Sequence, residues 1–347
     1  MLMAAVAAAC LSACAAAPKH APRWSIVVHG GAGVIERASL TPELEAQYRA
    51  ALQRAVTSGG EILERGGSSL DAVETVIRDM EDDPLFNAGR GAVFSAEGRN
   101  ELDASIMDGR TRAAGAVAGV RRTRHPISAA RAVMERSRHV MLVGEGAEAF
   151  ARAQGLEEVD PSYFFTERRW RQLEQNLRSN NLPIPARPAN APPAPRAESA
   201  WPDDHQFGTV GVVARDMNGD IAAGVSTGGT TGKRWGRVGD TPVIGAGGYA
   251  QNGVCGVSAT GTGEYFIRVG VARAICARME FGGESVRQAA AAAMAEVGAL
   301  GGDGGVIVLD GQGRHAWAMN TPGMYRAHLQ SGGAPSVGIF ADEEAAQ

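Results

Sequence analysis

The chain has 347 residues, 44% hydrophobic and 21% charged, a globular composition that excludes an intrinsically disordered protein. Lys and Arg (34) nearly balance Asp and Glu (38), and the net charge of −4 excludes nucleic-acid binding through bulk positive charge. Aromatic residues at 5% argue against a stacking surface for bases or sugars, while 46 glycines, about twice the usual share, imply many tight turns and close backbone approaches.

Met1 to Ala17 is apolar and uncharged. It is shorter than the ~20 residues of a membrane-spanning helix but long enough for the core of a signal peptide. Leu11-Ser12-Ala13-Cys14 matches a bacterial lipobox, which would lipidate Cys14. The alternatives are a secretory signal cut at a small residue, or the start of an alanine-rich helix. The expected location is therefore the bacterial periplasm or a membrane-anchored lipoprotein. No Lys or Arg precedes the apolar run, which argues against export unless translation begins further upstream; without a working signal the location is cytoplasmic. Beyond Cys10 and Cys14 only Cys255 and Cys276 remain, too few for a disulfide scaffold and without metal spacing.

Trp24 to Val28 reads as a buried strand ending in the glycine turn His29-Gly-Gly-Ala-Gly33. Thr41 caps a helix over Glu43–Arg65, and Ser68-Ser69 caps another over Ser69–Met80. Ser128–Arg136, Gly144–Ala153 and the basic Thr166–Arg178 also read as helices. Asn180–Pro202 carries seven prolines and reads as a solvated linker in which nothing packs. Strands follow at Thr209–Arg215, Ile221–Ser226, Pro242–Gly245 and Val254–Ala259, then helices at Gly263–Met279 and Ser285–Val297. Val306–Leu309 and His315–Met319 form a hairpin around Asp310-Gly311. Strands and helices come in groups, so the fold class is α+β in layers rather than regular βαβ alternation.

Three motif matches lack their context. Gly224-Val-Ser-Thr-Gly228 fits a serine-hydrolase elbow, but the glycine- and threonine-rich run after it is a poor helix start. Gly245-Ala-Gly-Gly-Tyr-Ala250 fits a dinucleotide fingerprint, yet Asn252-Gly253 turns into another strand. Gly232-Lys233 is followed by Arg234 where a phosphate loop needs Ser or Thr. The seven histidines are scattered without zinc spacing, and no organic cofactor is implied.

Phe207-Gly208-Thr209-Val210-Gly211 opens a strand directly after the linker. A chain break between Gly208 and Thr209 would give Thr209 a free amine, intrinsic pKa near ~8, beside its own hydroxyl. Base and nucleophile would then share one residue. Taken alone, Gly-Thr before a strand is an ordinary strand start.

This stretch, with Val225-Ser-Thr-Gly-Gly229, Gly236-Arg-Val-Gly-Asp240 and Ala259-Thr-Gly-Thr-Gly-Glu264, closely resembles the isoaspartyl peptidase/plant-type L-asparaginase family of N-terminal nucleophile (Ntn) hydrolases. The likeness extends to His29–Gly33, Phe86–Gly89, Glu101–Ala104, Met107–Gly109, Gly115–Gly119 and Gly144–Glu148, and covers Trp24 to Tyr325 apart from the linker. It implies an αββα four-layer sandwich over residues 18–347, cut at Gly208–Thr209. The α subunit would be 18–208, with a disordered proline-rich tail at about 180–205, and the β subunit 209–347, paired as an (αβ)2 dimer.

Position by position, the resemblance makes Thr209 the nucleophile, oriented by Thr227, with Thr260 and Gly261 as oxyanion hole. Arg237 and Asp240 would grip the substrate's α-carboxylate and α-ammonium, Gly263 would add a carbonyl, and Asn87 would contact Thr209. A zwitterion needs one fixed cation and one fixed anion, and arginine is the better carboxylate fork. The family's sodium loop maps onto carbonyls of Met80, Glu81, Asp83, Phe86, Ala88 and Arg90, so a structural Na+ is expected. The implied activity is hydrolysis of β-aspartyl amides: isoaspartyl dipeptides first, L-asparagine second. Rival readings are a glycosylasparaginase on the same fold and a non-cleaving cell-envelope binding lipoprotein. Lys233, Arg234 and Trp235 are expected to cluster at the pocket entrance and favour a peptide's carboxylate over a sugar.

Overall fold

The computed structural model describes residues 21–188, 190–192 and 208–343. The lipobox segment and residues 193–207 of the proline-rich stretch lie outside them. Strand β1 (Ser25–Gly33) sits inside an eight-stranded sheet. Moving outward on one side are β11 (Gly323–Gln330) and β12 (Ser336–Phe340). On the other lie β5 (Val210–Arg215), β6 (Ile221–Thr227), β2 (Leu102–Asp108), β3 (Ala114–Val120) and β4 (Met141–Val143). All neighbours are antiparallel except β3 and β4. A second sheet of four runs β10 (His315–Met319), β9 (Gly304–Asp310), β8 (Cys255–Gly261) and β7 (Gly248–Gln251).

Successive strand residues face opposite ways, and the central strands of the large sheet use both faces. Ile26, Val28, Val212 and Ala222 join one core with the helices α1 (Pro42–Glu64), α2 (Ser69–Asp82) and α3 (Pro126–Arg136). Val27, Val213, Ile221 and Ala223 join a second core with the small sheet and the helices α7 (Val271–Gly282) and α8 (Val286–Ala299). Thr41 and Ser68 accept the amides of Leu44 and Asp71, capping α1 and α2 as their sequences suggest. Ala72, Val73, Val76, Ile77 and Met80 then form the buried stripe of α2. Helix α1 lies close against the sheet because Gly59 and Gly60 sit mid-helix. A methyl on Gly60 would meet Leu329 at 2.6 Å, and one on Gly59 would strike Ile26 and come within 2.8 Å of Val76.

Several expectations need correction. The helix read over Gly263–Met279 is broken at Gly270, which takes the left-handed φ of 64° and separates α6 (Gly263–Val269) from α7. Pro242–Gly245 is a turn, and the strand of this region is β7. Strands β2, β3, β4, β11 and β12 go unannounced; β3 reads Ala-Gly-Ala-Val-Ala-Gly-Val, too poor in β-branched and aromatic residues to signal a strand. The proline-rich stretch does pack where it is described: Leu182 and Ala191 lie against Phe94, Phe165, Trp170, Leu173 and Leu177. Arg187 there pairs with Glu167 at the start of α5 (Glu167–Ser179) and stands over the Phe165 ring at 4.6 Å. Cys255 and Cys276 form one disulfide, tying β8 to α7 with Cα atoms 5.7 Å apart. Among the described residues no helix is long and apolar enough to cross a membrane.

His315 stacks on His328 with ring centroids 3.6 Å apart, and His328 meets the Ser25 hydroxyl at 3.2 Å. Burial pushes these imidazoles down to about 4 and about 3, helped by Arg287 on His315 and by His315 on His328. The unfolded chain binds protons first, so their contribution to stability is complete above about pH 6.5 and is lost as pH falls toward 4. Buried carboxylates with raised pKa, such as Asp103 and Asp240, act with the opposite sign. The readout is therefore a difference: the fall in Tm between pH 7 and pH 5 should be smaller in His328→Gln than in the parent chain. Equal falls would mean that the stacked pair does not titrate as described.

Candidate active site

Thr209 precedes β5 and is 7% exposed. Pairing of Val210 with Ser226 brings it beside Thr227, the last residue of β6. The Thr209 hydroxyl donates to Thr227 Oγ1 at 3.1 Å. Thr227 Oγ1 also accepts the Gly229 amide at 3.0 Å and donates to the Gly208 carbonyl at 3.1 Å, which uses one proton and both lone pairs. Asn87 Nδ2 is a second donor to the Gly208 carbonyl, at 2.7 Å, and reaches Gly229 O at 2.8 Å. Asn87 Oδ1 takes the Val93 amide, so the side chain is fixed at both ends. The carbonyl of the Gly208–Thr209 bond is thus polarised by two donors while the Thr209 hydroxyl lies next to it.

His29, quoted only within a glycine motif, holds the other side of Thr209. Its Nδ1 donates to the Thr209 carbonyl at 3.0 Å, and its Nε2 meets Ser258 Oγ at 2.8 Å. A carbonyl only accepts, so the proton is on Nδ1 and the serine hydroxyl donates to Nε2. Burial pushes His29 down to about 3, only partly opposed by the Thr209 carbonyl, and the ring is neutral. Gly211 is required here because a side chain would run into both Ser258 and His29. Gly31, at φ 111°, lies under the Gly208–Thr209 bond, and a methyl on it would meet Gly208 Cα at 2.8 Å.

Thr260 and Gly261 end β8. Thr260 Oγ1 is buried and accepts the Ala32 amide at 3.3 Å, leaving its own proton to donate. Gly261 adopts φ 152°, and a side chain there would hit the Asp303 carbonyl and come within 2.7 Å of Gly304 Cα.

Arg237 and Asp240 lie on the loop after β6 but are not partners. Arg237 forms a two-point ion pair with Glu264, at 2.9 and 3.0 Å. Asp240 is fully buried and its Oδ2 has no hydrogen-bond donor. Burial raises its pKa to about 7, against its own backbone amide and the Arg237 charge. A buried carboxylate oxygen without a donor is costly and fits an incoming cation. Gly263 makes room beside it, since a methyl there would meet Asp240 Oδ1 at 2.8 Å. The expected entrance cluster is only partly present. Trp235 is 88% exposed with Arg234 over its ring at 4.4 Å, whereas Lys233 points inward, its Nζ donating to the Glu101 carbonyl at 2.8 Å. A lysine stem with an inward acceptor in reach follows that acceptor, and spacing in sequence cannot show this.

In the last turn of α2, the Glu81 carboxylate turns into the core. It accepts from Ser226 Oγ at 2.6 Å and the Ile127 amide at 3.1 Å, and meets His125 Nδ1 at 3.3 Å. Only its carbonyl is left for the loop. Gly89, at φ 47°, and Gly91 close against the carbonyls of Glu81 and Phe86 with no room for a side chain. The carbonyls of Met80, Asp83 and Ala88 accept turn amides, and the Arg90 guanidinium lies 5.8 Å from the Tyr163 ring centre. Among the described residues, no group of three or more His, Cys, Asp or Glu could hold a metal ion. Main-chain oxygens are the donor class that a hard cation takes.

A family model described as asparaginase matches residues 22–339. The isoaspartyl peptidase of Salmonella typhimurium is 48% identical over 91% of this chain and 98% of its own length. That of Escherichia coli is 47% identical over 92% and 96%. The isoaspartyl peptidase/L-asparaginase of Xenopus laevis is 44% identical over 83% of this chain and 86% of its own. With likeness of this depth along nearly its whole length, the chain belongs to the asparaginase family.

Proposed function

We propose that this chain is an amidohydrolase that cuts itself between Gly208 and Thr209 and then hydrolyses β-aspartyl amides, isoaspartyl dipeptides before L-asparagine. The relatives' names support the substrate class. The observation that carries the mechanism is the Gly208 carbonyl, held by Thr227 and Asn87 next to the Thr209 hydroxyl.

In the first reaction Thr209 Oγ1 adds to the Gly208 carbonyl carbon, and charge develops on the oxygen that Thr227 and Asn87 already contact. Preset donors of this kind stabilise an oxyanion by ~3–4 kcal/mol each. The hydroxyl proton passes to the Thr209 nitrogen as collapse breaks the C–N bond, leaving an ester on Oγ1 and a free Thr209 amine. Water then releases Gly208 as a carboxylate. In the second reaction the amine takes the hydroxyl proton as Oγ1 attacks the substrate's side-chain carbonyl. Thr260 and Gly261 face the new oxyanion, the leaving amine departs protonated, and water hydrolyses the aspartyl ester. Arg237 binds the α-carboxylate, and Asp240 with the Gly263 carbonyl binds the α-ammonium. The inward Lys233 leaves Arg234 as the charge favouring a peptide over a glycosyl leaving group.

The order of packing, helices on a large sheet, then a small sheet, then helices, supports an αββα sandwich. Two cleaved αβ units are proposed to pair as a dimer. Carbonyls of Met80, Glu81, Asp83, Phe86, Ala88 and Arg90 would hold Na+, whose charge would stiffen the loop that carries Asn87. Export is supported by the Cys255–Cys276 bond, since disulfides persist mainly in oxidising compartments. Lipidation at Cys14 would then anchor the enzyme to a membrane.

Thr209→Ala should leave a full-length, inactive chain on a denaturing gel, and Thr209→Ser should still give two fragments and some activity. Efficient cutting of the alanine variant in clean buffer would sink the mechanism. Asp240→Ala should weaken substrates with a free α-amine by ~2–5 kcal/mol, while N-acetylated isoaspartyl peptides, poor from the start, change little. Because Asp240 must be charged to hold an ammonium and its pKa is raised to about 7, kcat/KM should fall as pH drops below 7. Equal use of acetylated and free peptides would remove Asp240 from the site. Finally, denatured, unreduced protein from the exported fraction should resist alkylation at Cys255 and Cys276; labelled thiols would count against an oxidising compartment.

A further inference from the structure

We infer that Lys233, paired with Asp103, is a positioning residue for the nucleophile, holding from below the turn that feeds hydrogen bonds to Thr227 and Asn87. This rests on the reading of Thr209 as nucleophile. The Lys233 side chain is 1% exposed and that of Asp103 is 0% exposed, a degree of burial that lysine and aspartate reach almost only when paired. Lys233 Nζ donates to the Glu101 carbonyl at 2.8 Å and lies 4.0 Å from Asp103 Oδ2, an oxygen with no hydrogen-bond donor. Asp103 Oδ1 takes the Gly119 amide at 2.8 Å. Burial lowers the pKa of Lys233 and raises that of Asp103, each partly offset by the other.

The pair's location gives it a use. Asp103 lies directly opposite Thr227 in the pairing of β2 with β6. The Lys233 ammonium lies beneath Gly229, where a methyl would meet Nζ at 3.1 Å and Cδ at 3.2 Å. Gly229 donates its amide to Thr227 Oγ1, and its carbonyl accepts from Asn87 Nδ2; these are the two side chains that hold the Gly208 carbonyl. Main-chain bonds from Gly232 to Phe94 and from Ala96 to Lys233 fasten the far end of the turn. The ammonium fastens the near end. A loose buried ion pair is weak as a source of stability, because desolvating both charges costs about as much as their attraction returns. An apolar side chain would fill the same space but would offer no donor to Glu101 and no charge to Asp103. The Gly229 amide would then be free to drift from Thr227 Oγ1.

The test compares the full-length parent chain, Lys233→Met, and the neutral double variant Asp103→Asn/Lys233→Met. It reads Tm, the rate of self-cleavage on a denaturing gel, and kcat and KM for an isoaspartyl dipeptide. Lys233→Met should lower Tm, because Asp103 is left unpaired, and slow cleavage and kcat at least tenfold with KM changed less than threefold. The double variant should regain Tm but neither rate, and it carries the test if the single variant does not fold. Recovery of both rates together with Tm would overturn the inference, as would a shift confined to KM. A double variant that stays unstable overturns it too, since the pair would then be structural. An uncut parent chain would instead defeat the reading of Thr209; a cut parent with equally cut and active variants defeats only the role of Lys233.

Discussion

The Thr227 hydroxyl can donate once and accept twice, and this site uses all three capacities. It accepts a hydrogen bond from the Thr209 hydroxyl and another from the Gly229 amide, and donates its own to the Gly208 carbonyl. A hydroxyl so saturated has no freedom to rotate, and the Thr209 hydroxyl inherits that fixed direction. The surrounding structure supplies these partners: the chain entering β5 brings Thr209 and the Gly208 carbonyl, the turn after β6 brings Gly229, and the loop after α2 adds Asn87 as a second donor to that carbonyl. Because these arrive from distant parts of the chain, the site exists only when the large sheet is closed.

That closure depends on absent side chains as much as on present ones. Gly31 and Gly211 keep space around Thr209 that a methyl would fill, while Gly59 and Gly60 let α1 settle onto β1 and β11. The high glycine content seen in the sequence is therefore concentrated, in part, where backbone must approach backbone or an imidazole.

The second theme is buried charge. Glu81 is satisfied by Ser226, Ile127 and His125, and so acts as a clamp between α2, α3 and β6. Asp240 and Asp103 each keep one carboxylate oxygen without a donor, one beside the gap left by Gly263 and one beside Lys233. Unsatisfied groups of this kind cost stability wherever they occur, and here one lies within the loop that joins β6 to β7 and the other on β2, beside the Lys233 of that loop.

The sequence by itself determined the local elements and the chemistry-bearing types. Capping residues marked the start of α1 and α2 because a cap hydrogen bond closes within four residues. The Thr209 motif, Arg237, Asp240, Thr260 and Gly261 were readable as ordered blocks resembling one family; in space Thr227 meets the Thr209 hydroxyl, while Asn87 meets the Gly208 carbonyl beside it. Tertiary structure alone decided the partners. Nothing in the spacing told that Arg237 would face Glu264 rather than Asp240, that His29 would hold the Thr209 carbonyl, or that Lys233 would turn inward to Glu101. Nor could periodicity announce β2 or β3, whose residues are buried almost throughout and so alternate in nothing but direction. Capping and turn signals act over a few residues, whereas side-chain orientation and strand pairing are settled by groups from tens to more than a hundred positions away, which meet only after the sheets have packed.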